Sequence, residues 1–414
     1  MLLNRIFIAM FLIGFSLAAG KLLFYQDYTI LKNIVDALFD AAKSGFELSL
    51  YLTGALCLWM GFMRVGEKGG AVNVLSKLVS PLFRRLFPEI PANHPAVGSM
   101  MMNFSANMLG LDNAATPLGL KAMKELQELN PEPEKASNAQ IMFLVLNTSG
   151  LTLIPVSILA YRSVAHSTAP SEVFLPILLA TFCSTFVGMI YVSIRQKINL
   201  LHPVILAYLG GLVAFVVGLL FYVWKFPEHT ATISNVGGNG LLIIIITSFL
   251  LMAMRKKVNV YDEFIEGAKG GFQVAITIVP YLVAMLAALA VFRTSGALNE
   301  ILNGIRFTLM FLGVSATEFI DALPVALMKP FSGSGARGLM LEIFNNEQYG
   351  VDSFVGKVAA TFQGSTETTF YVLAVYFGSV GIKNTRYAAG AGLLADLAGV
   401  IAAIFISYLF YSVN

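Results

Sequence analysis

Glu367 stands three residues past Gly364, in a run of Ser365, Thr366, Thr368 and Thr369 within an otherwise apolar stretch. An acid inside a lipid-spanning segment costs about 2.5–3.5 kcal/mol on insertion scales, so it is a functional candidate by default. Gly364 permits a helix break, and a break frees N–H groups at the start of the outgoing half-helix, which favour a nearby anion. A carboxylate beside hydroxyls can instead hold Na⁺ or carry a proton. The alternative role for Glu367 is an ion pair with Lys329 or Arg337. Gln363, Ser365, Thr366 and Glu367 are therefore candidate solute ligands, with Glu367 and Thr368 candidates for ion coupling.

A second polar break joins Asn147, Thr148, Ser149 and Thr152, with Pro155 blocking the regular ladder. These neutral groups suit an uncharged polar ligand or Na⁺, or serve helix–helix hydrogen bonding. Two turns look alike. In Asp112-Asn113-Ala-Ala-Thr116-Pro117 the spacing predicts Thr116 as N-cap and Pro117 as the first helical residue. Ser332-Gly333-Ser334-Gly335 does the same further on. Each tip offers a helix N-terminus to an anionic or carbonyl group, which makes Asn113, Thr116, Ser332 and Ser334 candidates. Asn103 and Asn107 lie one turn apart on the piece leading to the first tip, and Asn107 is a candidate for ion coupling. Glu318 and Asp321 precede the second tip. Asp321 is a further coupling candidate, with an ion pair as its alternative role. Asp396 lies among Ala388, Gly392, Ala395 and Gly399, where small residues favour close helix packing.

These residues need an apolar frame. Of 414 residues, 57% are hydrophobic and 12% charged, against roughly 45–50% and about 25% in ordinary soluble proteins. Mean hydropathy is +0.74. A soluble globule could not hide this much apolar surface, so the solvent is partly lipid. The two cysteines, Cys57 and Cys183, build no disulfide framework or cysteine metal site. Four scattered histidines give no zinc spacing. A net charge of +3 does not suggest nucleic acid. No phosphate-binding glycine loop and no HExxH motif occur, so neither enzymatic activity nor a cofactor is expected.

A helix needs roughly 20 apolar residues to cross about 30 Å of hydrocarbon. Uninterrupted candidates are 6–24, 46–63, 173–194, 203–224, 237–254, 271–292 and 387–411; 138–161 and 353–378 are long enough but broken. Shorter pieces are 72–86, the pair 95–109 with 118–129, and the pair 314–328 with 336–344, read as an interfacial helix and two re-entrant hairpins. Residues 1–20 imitate a signal peptide but are read as the first span. With nine spans and an inside N-terminus, the basic clusters after residues 63, 194 and 254, and before 387, all fall in the cytoplasm. The C-terminus is then outside.

Asn147-Thr148-Ser149-Gly150-Leu151-Thr152 is answered 216 positions later by Gln363-Gly364-Ser365-Thr366-Glu367-Thr368. Gly70-Ala71-Val72-Asn73 is answered by Gly296-Ala297-Leu298-Asn299. Five spans separate the starts of the two units, so the second is inserted upside down. Inverted repeats with broken helices near the midplane build many secondary transporters.

The first half resembles spore maturation protein A through Pro88-Glu-Ile-Pro-Ala-Asn-His94-Pro95, Asn113-Ala-Ala-Thr116-Pro117-Leu-Gly119 and Asn147-Thr-Ser-Gly-Leu-Thr152-Leu-Ile-Pro155. The second resembles spore maturation protein B through Met328-Lys329-Pro330, Ser332-Gly333-Ser334-Gly335-Ala336, Gln363-Gly-Ser-Thr366-Glu367-Thr-Thr369-Phe-Tyr371 and Tyr376-Phe-Gly-Ser-Val-Gly381. The resemblance implies a fused form with the nucleoside-recognition, or gate, domain of concentrative nucleoside transporters. It also implies the association of that pair with dehydration of the spore core.

The expected fold is an all-α integral membrane protein of about nine transmembrane helices, two re-entrant hairpins and two broken helices. The first gate-type repeat is 1–200, a connecting span and outer loop 201–235, and the inverted repeat 236–414. The expected function is secondary carriage of a small polar solute, such as a nucleoside or related metabolite, coupled to Na⁺ or H⁺ in the bacterial inner membrane. A non-transporting envelope scaffold and an ion or metal channel are the alternatives. Expected partners are the bilayer, the solute and, as an open option, further copies of the chain.

Overall fold

A computed structural model describes residues 2–91, 93–109, 112–226 and 230–411. Its helices in chain order are α1 (Leu2–Phe24), α2 (Ile30–Gly69), α3 (Ala71–Leu86), α4 (Pro95–Met108), α5 (Asp112–Glu128), α6 (Asn138–Ser149), α7 (Val156–Val164), α8 (Phe174–Arg195), α9 (Pro203–Lys225) and α10 (Thr230–Arg255). There follow α11 (Val260–Thr294), α12 (Ala297–Phe311), α13 (Leu323–Met328), α14 (Gly333–Asn345), α15 (Phe354–Gly364), α16 (Thr369–Gly378) and α17 (Ala388–Phe410). No strand occurs among the described residues. The chain is an all-helical membrane protein, with long apolar stretches at Phe7–Phe24, Pro170–Arg195, Pro203–Val223 and Ala388–Phe410. Their outer faces leave large apolar side chains such as Leu12, Phe215, Phe221 and Phe405 exposed, as contact with lipid requires.

Two of the expected spans are only the middles of longer helices. α2 has 40 residues and α11 has 35. At 1.5 Å per residue they reach about 60 and about 50 Å, well beyond the hydrocarbon. Their extra turns carry the charges Lys32, Asp36, Asp40 and Lys43, and Asp262, Glu263, Glu266 and Lys269, which periodicity of apolar residues could not count. The two helices run antiparallel: Gly45 faces Val283, Gly271 faces Leu56, and Arg64 pairs with Glu263 at 3.0 Å. A Cβ on Gly271 would lie 2.6 Å from the Leu56 carbonyl oxygen, and one on Gly267 would lie 2.4 Å from that of Met60. Glycine alone allows this approach.

Both expected helix breaks are present, α6–α7 and α15–α16. Ser137 caps α6 by accepting from the Gln140 N–H in a capping box, and Ser353, 216 positions on, caps α15 through the Gly356 N–H. The hairpins depart from expectation. α5 begins at Asp112, so Thr116 is not an N-cap and Pro117 lies inside the helix; the helix starts five residues earlier than expected because a proline in the first turns of a helix breaks few ladder bonds. Residues 314–317 are not helical. A 3-10 turn, Glu318–Ala322, and the six-residue α13 take the place of the incoming helix. α12, preceded by Gly296 at φ +89°, was not among the expected pieces.

Candidate functional site

The two breaks meet. The Glu367 N–H donates to the Thr148 carbonyl at 2.9 Å, so this amide is not left free for a ligand. Gly150 adopts φ +55°, and a Cβ there would lie 2.7 Å from Glu367 Cγ. The helices around this crossing are antiparallel along their length. At one end Ala136 N–H donates to the Asn384 carbonyl at 2.9 Å and Lys383 pairs with Glu134. At the other, Arg162 is fully buried and donates to the Val351 carbonyl at 2.8 Å and to Asp352 at 2.9 Å.

Beside the crossing lies a polar cavity of about 540 Å³. The first hairpin contributes Asn107, Ala115 and Thr116, and α6 contributes Asn147. The second hairpin contributes Lys329, Phe331, Ser332, Gly333, Ser334 and Arg337. The second broken helix supplies Gln363, Glu367, Thr368, Tyr371, Val372 and Tyr376. Ser332 caps α14, its Oγ accepting from the Gly335 N–H at 2.9 Å, so the start of that helix faces the cavity.

A chain of polar side chains fixes the wall. Asn107 Nδ2 donates to Asn147 Oδ1 at 2.7 Å, and Asn147 Nδ2 donates to the Phe143 carbonyl at 2.8 Å. Tyr376 Oη is within 3.5 Å of Asn147 Oδ1 and accepts from Asn103 Nδ2 at 3.3 Å. Gln363 is buried, its Nε2 donating to the Gly333 carbonyl at 3.4 Å. Its Oε1 has no partner. Buried groups of this kind normally find one, so a ligand donor suits this position.

Eight of the residues singled out from sequence line this space: Asn107, Thr116, Asn147, Ser332, Ser334, Gln363, Glu367 and Thr368. Others do not. Thr148, Ser149 and Ser365 return their hydroxyls to carbonyls three residues back, and Thr152 to that of Gly150. Thr366 packs its methyl against Gly399. Asp321 accepts from Arg306 at 2.9 and 3.0 Å, away from this space. The Asn113 side chain lies outside the described residues. Asp396 accepts from Thr369 Oγ1 at 2.7 Å and ties α17 to α16. Tyr371, Tyr376 and the cations Lys329 and Arg337 also line the space and were not among the candidate ligands. For Lys329, Tyr371 and Tyr376 the signal was their place in the long motifs, since one aromatic in an apolar run looks like any other; Arg337 lies just past the end of one.

Among the described residues, no group of acidic, histidine or cysteine side chains could hold a metal ion. A family model for the gate domain, described as nucleoside recognition, matches residues 49–164. Spore maturation protein B of Bacillus subtilis (strain 168) is 46% identical over 171 residues, which are 41% of this chain and 93% of that protein. Spore maturation protein A of the same organism is 38% identical over 189 residues, 45% of this chain and 96% of that protein.

Proposed function

Because the chain belongs to the family of spore maturation proteins A and B, joined here as a fused A/B-like protein, we propose that it is a secondary carrier of a small polar solute. The observation behind this reading is the convergence of two helix breaks and two hairpins on one polar cavity in an otherwise apolar protein. Broken helices meeting at a midplane site are a transporter device. In this reading α2–α8 and α11–α17 are inverted repeats within about nine spans. The antiparallel pairing of α2 with α11 supports it, as does that of α8 with α17, where Gly188 meets Ala395 and Gly399 meets Ser184. The hairpins are re-entrant, the N-terminus is inside, and the membrane is the bacterial inner membrane.

The solute hydrogen-bonds to Asn147, Asn107 and Gln363, and a carbonyl or anionic group faces Ser334, Lys329 and Arg337. A nucleoside or related metabolite meets that description. Glu367 carries the coupling proton or Na⁺. One observation favours the envelope-scaffold reading instead: many break hydroxyls are satisfied by their own helices, so less of the polarity awaits a ligand.

Thermal stability of the purified chain separates the two. The panel is nucleosides, nucleobases, dicarboxylates, Na⁺ and a pH series. A ligand at 100 times its Kd stabilises by about 2.7 kcal/mol. A shift in the parent that disappears in Glu367→Gln and Asn147→Ala supports the carrier. No shift with any compound, in folded protein, supports the scaffold.

A further inference from the structure

α3 and the start of α9 form a wedge, joined where Tyr208 Oη donates to the Leu78 carbonyl at 2.6 Å. One side of the wedge is a polar pocket of about 530 Å³ lined by Lys77, Ser80, Arg84, Arg85 and Val204. Three cations gather there and no acid lines the space. All three are exposed, and none takes part in an ion pair or side-chain hydrogen bond among the described residues. Like charges so placed repel one another and favour an anion between them.

One turn along α9 from Val204 opens an apolar groove of about 510 Å³, bounded by Leu82, Phe104, Phe186 and Phe215 among others. Its polar members are Thr185 and Tyr208, and the Tyr208 hydroxyl is already spent on Leu78. From Val204 to Phe215 is about 16 Å of helix, close to the roughly 15 Å of hydrocarbon in one leaflet. The cations sit at one end of a groove one leaflet deep.

We propose that this wedge binds an anionic phospholipid, with its phosphate on Lys77, Arg84 and Arg85 and an acyl chain in the groove against α9. Basic pockets between membrane helices bind such headgroups by charge. The site is separate from the solute cavity and does not depend on the carrier reading.

The test is native mass spectrometry of the full chain in detergent, titrated with phosphatidylglycerol and, separately, phosphatidylcholine. Phosphatidylglycerol is expected to bind more tightly and to weaken with salt. Replacing K77Q/R84Q/R85Q together should weaken it about five-fold per cation, roughly a hundred-fold in all, and leave phosphatidylcholine unchanged. These side chains have no internal partners, so the variant keeps its fold. A second variant, Gly211→Leu, extends a side chain from the groove wall, where a Cβ meets nothing within 4 Å. It should weaken phosphatidylglycerol with the cations intact. Equal binding of the two lipids, or an unaffected triple variant, overturns the proposal. Displacement by millimolar glycerol 3-phosphate also overturns it, and marks a site for free phosphate esters.

Discussion

At Gly150 the backbone and the neighbour impose one choice together. Its φ of +55° disfavours a side chain, and a Cβ would press on Glu367 Cγ at 2.7 Å. Gly381 provides the comparison, with φ +72° but nothing within 4 Å. Gly381→Ala should cost about 1–2 kcal/mol of backbone strain alone. Gly150→Ala should cost that and more, and it should also weaken ligand binding by displacing Glu367. Melting curves of the two variants, with ligand titrations, check this; equal melting losses with unchanged binding would mean that Glu367 moves aside freely. The Asn103–Tyr376–Asn147–Asn107 chain has the same character, since each member depends on a residue from another helix.

Among the elements, the loop before α15 is held to the end of α7 by a polar cluster. Burial pushes the Asp352 carboxyl up, but hydrogen bonds from Ser167 and Thr168 and the charge of Arg162 outweigh it, leaving the carboxyl below its ordinary value of 3.8. A carboxyl whose pKa is depressed by folding stabilises the native state above its unfolded pKa, and that stability is lost as pH falls through the folded value. The melting temperature should therefore hold down to about pH 4 and then fall further in the parent than in Asp352→Asn. The variant should melt lower at neutral pH, because Arg162 loses its counter-charge and one of the two carboxylate oxygens becomes an amide NH2 that cannot accept. Parallel melting curves for the two proteins across the acid range would show that the cluster does not contribute in this way.

For the whole molecule, the close approach of α2 and α11 sets the frame that carries both hairpins. Gly271→Val would put a Cβ 2.6 Å from the Leu56 carbonyl oxygen and should destabilise by about 1–3 kcal/mol, as overpacking does. Gly304→Val on α12, with open space around its Cβ, should leave stability unchanged or raise it by a few tenths of a kcal/mol, because valine forms helix better than glycine. Melting temperatures of the pair measure the difference. The sequence by itself determined the solvent, the helical class, both breaks and most of the polar groups at them. Apolar run length, Gly and Pro positions and hydroxyl clusters are local, and each acts within one or two turns. It placed the first hairpin turn at Thr116 instead of before Asp112, because a proline near a helix start is compatible with either boundary. It also could not separate Thr148 and Ser149, which bond their own helix, from Asn147, which faces the cavity. That choice follows from the rotation of each helix about its axis, and only packing sets it. The tertiary structure brought Lys329, Arg337, Tyr371 and Tyr376 to Asn147 and Glu367, since their meeting depends on antiparallel helices drawn from chain segments some two hundred residues apart.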